Sequence, residues 1–208
     1  MKNILIHGLG QNSKDWDTIK NELETRGISS VAPDLFDLAK GRKLDYPTVY
    51  QAFSELCESY QDKLNLCGLS LGGLLALNYA IQYPKKINSL VLIGTPFEIP
   101  KGLLKFQNIV FRFMPKAVFQ NMGVSKKDFI RLSKSMVDLN FMDSATALDC
   151  PALILGGAKD KTNMESAKRF HEAMKNSKLV IVEASGHEVN KDNPNELVRV
   201  LQDFWADR

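Results

Sequence analysis

Cysteine and histidine are both scarce in this 208-residue chain, with three of each. Cys57, Cys67 and Cys150 are far apart and show neither metal-ligand spacing nor a disulfide framework. Net charge is only +3, too mild to argue for nucleic acid. No internal repeat and no low-complexity linker interrupts the chain. The opening run Met1-Lys2-Asn3-Ile4-Leu5-Ile6-His7 is too short in apolar residues for a signal peptide or a membrane span. These absences lead us to expect a reducing, cytoplasmic compartment, with no metal, nucleic-acid partner or membrane association.

What remains is an ordinary globular composition, 44% hydrophobic and 25% charged, in a length that suits one good-sized core. Strand-like and helix-like runs alternate. Strands are expected at Asn3–Ile6, Ile28–Ala32, Leu64–Leu69, Ser89–Gly94, Ala152–Gly157 and Leu179–Glu183. Helices are expected at Ser13–Arg26, with Ser13 as N-cap, and at Pro47–Asp62, Leu71–Tyr83, Met164–Met174 and Asn195–Trp205. The strand runs are aliphatic without polar alternation, which suits burial on both faces. Such strands need helices on both sides, so a doubly wound, mostly parallel α/β sheet of about six strands is predicted.

Between residues 97 and 149 the alternation stops. Leu103, Leu104, Phe106, Ile109, Val110, Phe113 and Met114 recur at helical spacing, as do Phe129, Leu132 and Met136. This stretch reads as a helical cap inserted into a core domain made of 1–96 and 150–208. It would lie over the C-terminal edge of the sheet, where open α/β sheets bind ligands. Phe97, Phe106, Ile109, Phe113 and Met114 are its candidate substrate-binding residues, and Phe119 and Met122 could join them. From Phe97 to Asn140 eight basic residues outnumber three acidic ones, a local +5, which marks a solvated face or a mouth attractive to anions.

The motif that carries chemistry is Gly68-Leu69-Ser70-Leu71-Gly72, set between a strand and a helix. A serine at the apex of such a tight turn stands clear of the sheet, in a backbone conformation that only small neighbours tolerate. A serine hydroxyl needs a nearby base. His171 lies in a charged helix and His7 reads as a buried loop residue holding backbone groups. His187 follows the last strand, where a base could reach Ser70. The imidazole in turn needs an acid. Asp160 follows the fifth strand, at the same sheet edge, and could equally be a helix N-cap. Glu98 is a second candidate, whereas Asp143 and Asp149 lack the strand-end placement.

The order Ser70, Asp160, His187 resembles that of the α/β-hydrolase superfamily, and the likeness runs over nearly the whole chain. His7-Gly8-Leu9-Gly10, followed by Trp16, resembles the family's oxyanion loop. Pro33-Asp34-Leu35 resembles the stretch after the next strand, though the usual glycine-rich run is replaced by Phe36-Asp37-Leu38-Ala39-Lys40-Gly41. Gly186-His187 with Asn193-Pro194 resembles the histidine loop and the start of the final helix. The family's first two strands have no counterpart here.

The resemblance implies a serine esterase without cofactor, acting on a small-molecule ester or thioester. It assigns Ser70, Asp160 and His187 to a catalytic triad. It also assigns the backbone N–H groups of Leu9 and Leu71 to an oxyanion hole, worth about 3 kcal/mol per donor. A thioesterase, carbon–carbon bond hydrolase or perhydrolase would use the same triad, and a hydrolase-like ligand receptor would keep it for slow turnover.

Overall fold

The computed structural model describes residues 1–96, 111 and 113–206. Six strands form one parallel sheet: β1 (Lys2–Ile6), β2 (Ser30–Val31), β3 (Leu64–Leu69), β4 (Ile87–Ile93), β5 (Ala152–Gly157) and β6 (Ser177–Val182). Their spatial order is β2-β1-β3-β4-β5-β6, and every neighbouring pair is parallel. The expected doubly wound α/β architecture is therefore what this chain forms.

Helices cover both faces. On one side lie α1 (Asp17–Thr25) and, at the end of the chain, a long helix over Pro194–Ala206. They bury Ile19, Leu23, Leu197, Leu201 and Phe204 against Leu5, Cys67, Leu69, Val91 and Leu155 of the strands. On the other side lie α2 (Leu35–Leu38), α3 (Tyr46–Glu58) and α4 (Leu71–Gln82). Further along the chain come α5 (Lys116–Asn121), α6 (Lys126–Ser135) and α7 (Met142–Ala145), then α8 (Lys161–Ala173). A short α9 (Val189–Asp192) precedes the final helix, α10 (Pro194–Ala206). Phe119, Phe129, Leu132 and Met136 of α5, α6 and the turn after α6 share one apolar cluster with Ile6, Leu66, Leu74 and Leu92. The helical segment is thus packed into the same core as the sheet.

Local chemistry moves several boundaries. The first helix begins as a 3-10 turn over Ser13–Trp16, and its cap is Asn12 rather than Ser13. Asn12 and Asp15 close a reciprocal capping box. The strand expected at Ile28–Ala32 shrinks to Ser30–Val31, because this edge strand pairs only with Asn3 and Ile4 of β1. The fourth and sixth strands start two residues earlier than expected. Phe36-Asp37-Leu38 lie in α2, capped by the Asp34 carboxylate on the N–H groups of Phe36 and Asp37.

At the end of the sheet where the central strands begin, polar side chains cross the strands. Asn3 donates to Ser29 O at 2.8 Å, Asn65 to Asn3 Oδ1 at 2.8 Å, and both Asn88 and Ser89 to Asn65 Oδ1 at 2.8 and 2.7 Å. The opposite end, where the strands finish, carries the candidate site.

Candidate active site

Ser70 sits between β3 and α4 with φ 54° and ψ −112°, a left-handed conformation that costs a non-glycine residue energy. The turn is tight because the strand and helix cross with no room between them. A Cβ on Gly68 would overlap the Gly72 carbonyl, and one on Gly72 would overlap the Ile6 carbonyl. The strained backbone lifts the serine above the sheet edge, and the side chain lines a cavity of about 530 Å³.

His187 and Asp160 reach that cavity from two loops that are bound to each other. Lys159 donates its N–H to Ser185 O at 2.8 Å, and Ala158 donates to Val182 O at 3.0 Å. Gly186 N–H is held by Asp192 Oδ2 at 2.7 Å. His187 Nδ1 then lies 2.8 Å from Asp160 Oδ2. A carboxylate can only accept here, so Nδ1 carries the proton and Nε2 is left as the basic nitrogen. Gly94, with φ 52°, backs the pair: a Cβ there would stand 3.0 Å from His187 Nδ1 and 3.4 Å from Asp160 Oδ2.

Asp160 fills two roles that the sequence presented as alternatives. Its carboxylate accepts from the Asn163 N–H at 3.3 Å and so caps α8, and it also holds the imidazole. Asn163 was not foreseen. Its Nδ2 donates to Asp160 Oδ2 at 2.8 Å and lies 3.0 Å from Oδ1. Burial pulls the Asp160 carboxyl upward, but the hydrogen bonds from His187 and Asn163 outweigh it, so its pKa falls below the ordinary carboxylate value.

His7 is fully buried. Its Nε2 accepts the Leu35 N–H at 3.0 Å, so Nδ1 carries the proton and donates to Gly8 O at 2.9 Å. Burial lowers its pKa and keeps it neutral. The ring thereby ties the Gly8–Leu9 turn to the start of α2. Gln11 ties the same turn to the histidine loop, donating to Glu188 Oε1 at 2.9 Å and Asn190 Oδ1 at 3.1 Å. These partners lie more than 170 residues apart, and no local sequence signal announces them.

Leu9 and Leu71 both line the cavity. Leu71 is the first residue of α4, so its N–H has no intrahelical acceptor. Neither N–H has a hydrogen-bond partner among the described residues. The Ser70 hydroxyl and the His187 ring share the cavity, but among the described residues no hydrogen bond joins them. His171 is remote from this edge and bonds Ser177 Oγ.

The apolar wall departs from expectation. Phe97, Phe106 and Ile109, like Glu98, fall outside the described residues. Met114 lines the cavity, together with Phe111, Phe119, Met122, Phe129 and Met136. Phe113 does not: it is 84% exposed. Phe111 and Met114, three residues apart, share the inward face, which turns Phe113 outward. Phe111 and Phe119 each meet the Phe129 ring edge to face at 5.0 Å. The three cysteines are free; burial raises their pKa values, that of Cys150 to about 11, which makes them poor nucleophiles. Among the described residues there is no cluster able to hold a metal ion, and no helix is long and apolar enough to cross a membrane.

Comparison with known proteins identifies the family and the fold. A family model described as the alpha/beta hydrolase fold matches residues 4–139, and one described as TAP-like protein matches residues 137–204. Lipase 3 of a Moraxella species is 26% identical, over 93% of this chain and 75% of its own length. An uncharacterised Mycobacterium tuberculosis protein is 25% identical, over 97% of this chain and 74% of its own length. Among solved structures, a carboxylesterase of the thaumarchaeon Nitrososphaera gargenis superposes with a TM-score of 0.85 at 20% identity. That match covers 99% of this chain and 90% of the other.

Proposed function

Because the chain belongs to the α/β-hydrolase family, we propose that it is a serine hydrolase cleaving a small or medium carboxylic ester through an acyl-enzyme intermediate. One observation carries the reading: the strained Ser70 opens into the same cavity as the hydrogen-bonded Asp160–His187 pair. Substrate entry brings Ser70 Oγ within reach of His187 Nε2, a contact that commonly tightens only in the occupied site. Nε2 takes the hydroxyl proton as Oγ attacks the acyl carbon. Asp160 holds the ring in the Nδ1–H tautomer and balances the charge it gains. The Leu9 and Leu71 N–H groups receive the oxyanion. The bond to the alcohol breaks as its oxygen takes the proton from His187 Nε2; water, deprotonated by the same nitrogen, then attacks the acyl-enzyme, and the acid leaves as Ser70 Oγ takes that proton back.

The segment 97–149 acts as a cap whose inner wall holds the acyl group. The three unpaired cysteines fit a cytoplasmic setting. The test is a panel of p-nitrophenyl esters and acyl-coenzyme A thioesters of graded length, run with fluorophosphonate labelling of wild type and Ser70→Ala. Wild type should turn over the oxygen esters and take the label, and the variant should do neither. Equal labelling of both proteins rules the nucleophile out.

A further inference from the structure

The cavity has two chemically distinct walls. One is the apolar group of Phe111, Phe119, Met122, Phe129 and Met136. The other, around His187, is polar: Thr162, Asn163 and Ser166 of α8, with Gln11 and Glu188. Thr162 and Ser166 are four residues apart and so lie on one face of the helix. Neither hydroxyl has a hydrogen-bond partner among the described residues, so both can donate and accept toward the cavity. The polar wall includes the carboxylates of Asp160 and Glu188, and no lysine or arginine is among the described residues that line the cavity.

We propose that this wall selects the alcohol: a small, uncharged, hydroxylated leaving group of the glycerol type, joined to an apolar acyl chain. The inference rests on the hydrolase reading above. When Ser70 Oγ bonds to the acyl carbon and the bond to the alcohol oxygen breaks, that oxygen must take its proton from His187. The departing alcohol therefore lies on the His187 side, against Thr162 and Ser166, while the acyl group extends toward the aromatic and methionine wall. A bare alkyl alcohol offers the two hydroxyls no partner, and a phosphorylated alcohol meets two carboxylates with no lysine or arginine among the described residues of the wall.

The experiment compares glycerol monohexanoate, ethyl hexanoate and hexanoyl-glycerol phosphate, which share one acyl group. The expected order of kcat/KM is glyceryl, then ethyl, then phosphoglyceryl, with about fivefold or more between the first two, the value of one good hydrogen bond. In the Thr162→Val/Ser166→Ala double variant the glyceryl-to-ethyl ratio should fall toward one, chiefly through KM, with the melting temperature confirming a folded protein. Calorimetric binding of the two neutral esters to Ser70→Ala gives the same preference without turnover. A wild-type ratio of one or less, a ratio the double variant leaves unchanged, or a fastest phosphoglyceryl ester overturns the proposal. Absent turnover with the binding preference intact overturns the hydrolase reading instead.

Discussion

Asn163 grips Asp160 by both carboxylate oxygens, at 2.8 and 3.0 Å, while the same amide nitrogen stands 3.1 Å from His187 Nδ1. The acid is thus fixed on two sides before it meets the imidazole. Asn163→Ala should fold but lower kcat about tenfold, the usual cost of removing an outer partner that orients a catalytic group. Losing these hydrogen bonds lets the Asp160 pKa rise. The stability that the charged Asp160 supplies should then be smaller, and its loss on acidification confined to a narrower pH range than in wild type, as read by melting temperature across an acid series.

Asp160→Asn probes the same carboxylate differently. Asparagine still caps α8, so the variant should fold, with kcat down on the order of a thousandfold or more. A folded-state pKa below the unfolded value of about 3.9 means that the charged carboxylate adds stability above that pH. The contribution disappears as pH falls through the lowered folded value. The melting-temperature gap between wild type and variant should therefore be widest above about pH 4 and close below it. A gap that grows on acidification would contradict the assigned charge state.

Ser70 at φ 54° predicts a trade between stability and activity. Ser70→Gly removes the left-handed penalty and should stabilise the protein by about 1 kcal/mol, raising the melting point by about 2–4 °C while abolishing turnover. Scanning calorimetry beside the ester assay checks both halves; an unchanged or lowered melting point would show that the turn is not strained.

Gly94→Ala should push on the imidazole, since the new methyl would stand 3.0 Å from Nδ1 on a backbone at φ 52°. The expected result is a loss of about 1–2 kcal/mol in stability with a larger loss in kcat than in KM. Steady-state kinetics of the purified variant decide this.

The apolar wall makes its own demand. Each methylene buried there adds up to about 0.8 kcal/mol, so kcat/KM should climb from acetyl to hexanoyl esters. Phe129→Ala and Met136→Ala should flatten that climb. Phe113→Ala should leave the chain-length profile as in wild type, because Phe113 faces solvent. A flattened profile in the Phe113 variant alone would reverse the orientation described here.

The parallel sheet was legible because buried strands leave an unmistakable aliphatic run, and Ser70 because its flanking glycines serve only a close crossing. Asp160 and His187 were legible from their places after strands. Phe113 was not, since helical spacing defines two opposite faces without saying which one turns inward. Asn163 could have been found from its place three residues after a capping aspartate. Gln11, Glu188 and Asn190 could not, because their pairing exists only once the first and last strands stand in one sheet.

The polar ladder of Asn3, Asn65, Asn88 and Ser89 lies at the far end of the sheet from Ser70. Strand alignment is thereby locked at the base by side chains that take no part in the chemistry. A slip of one residue would break the ladder. The loops at the other end are released from that duty: they can be exchanged or lengthened, and specificity rebuilt, on a chassis whose alignment is set elsewhere.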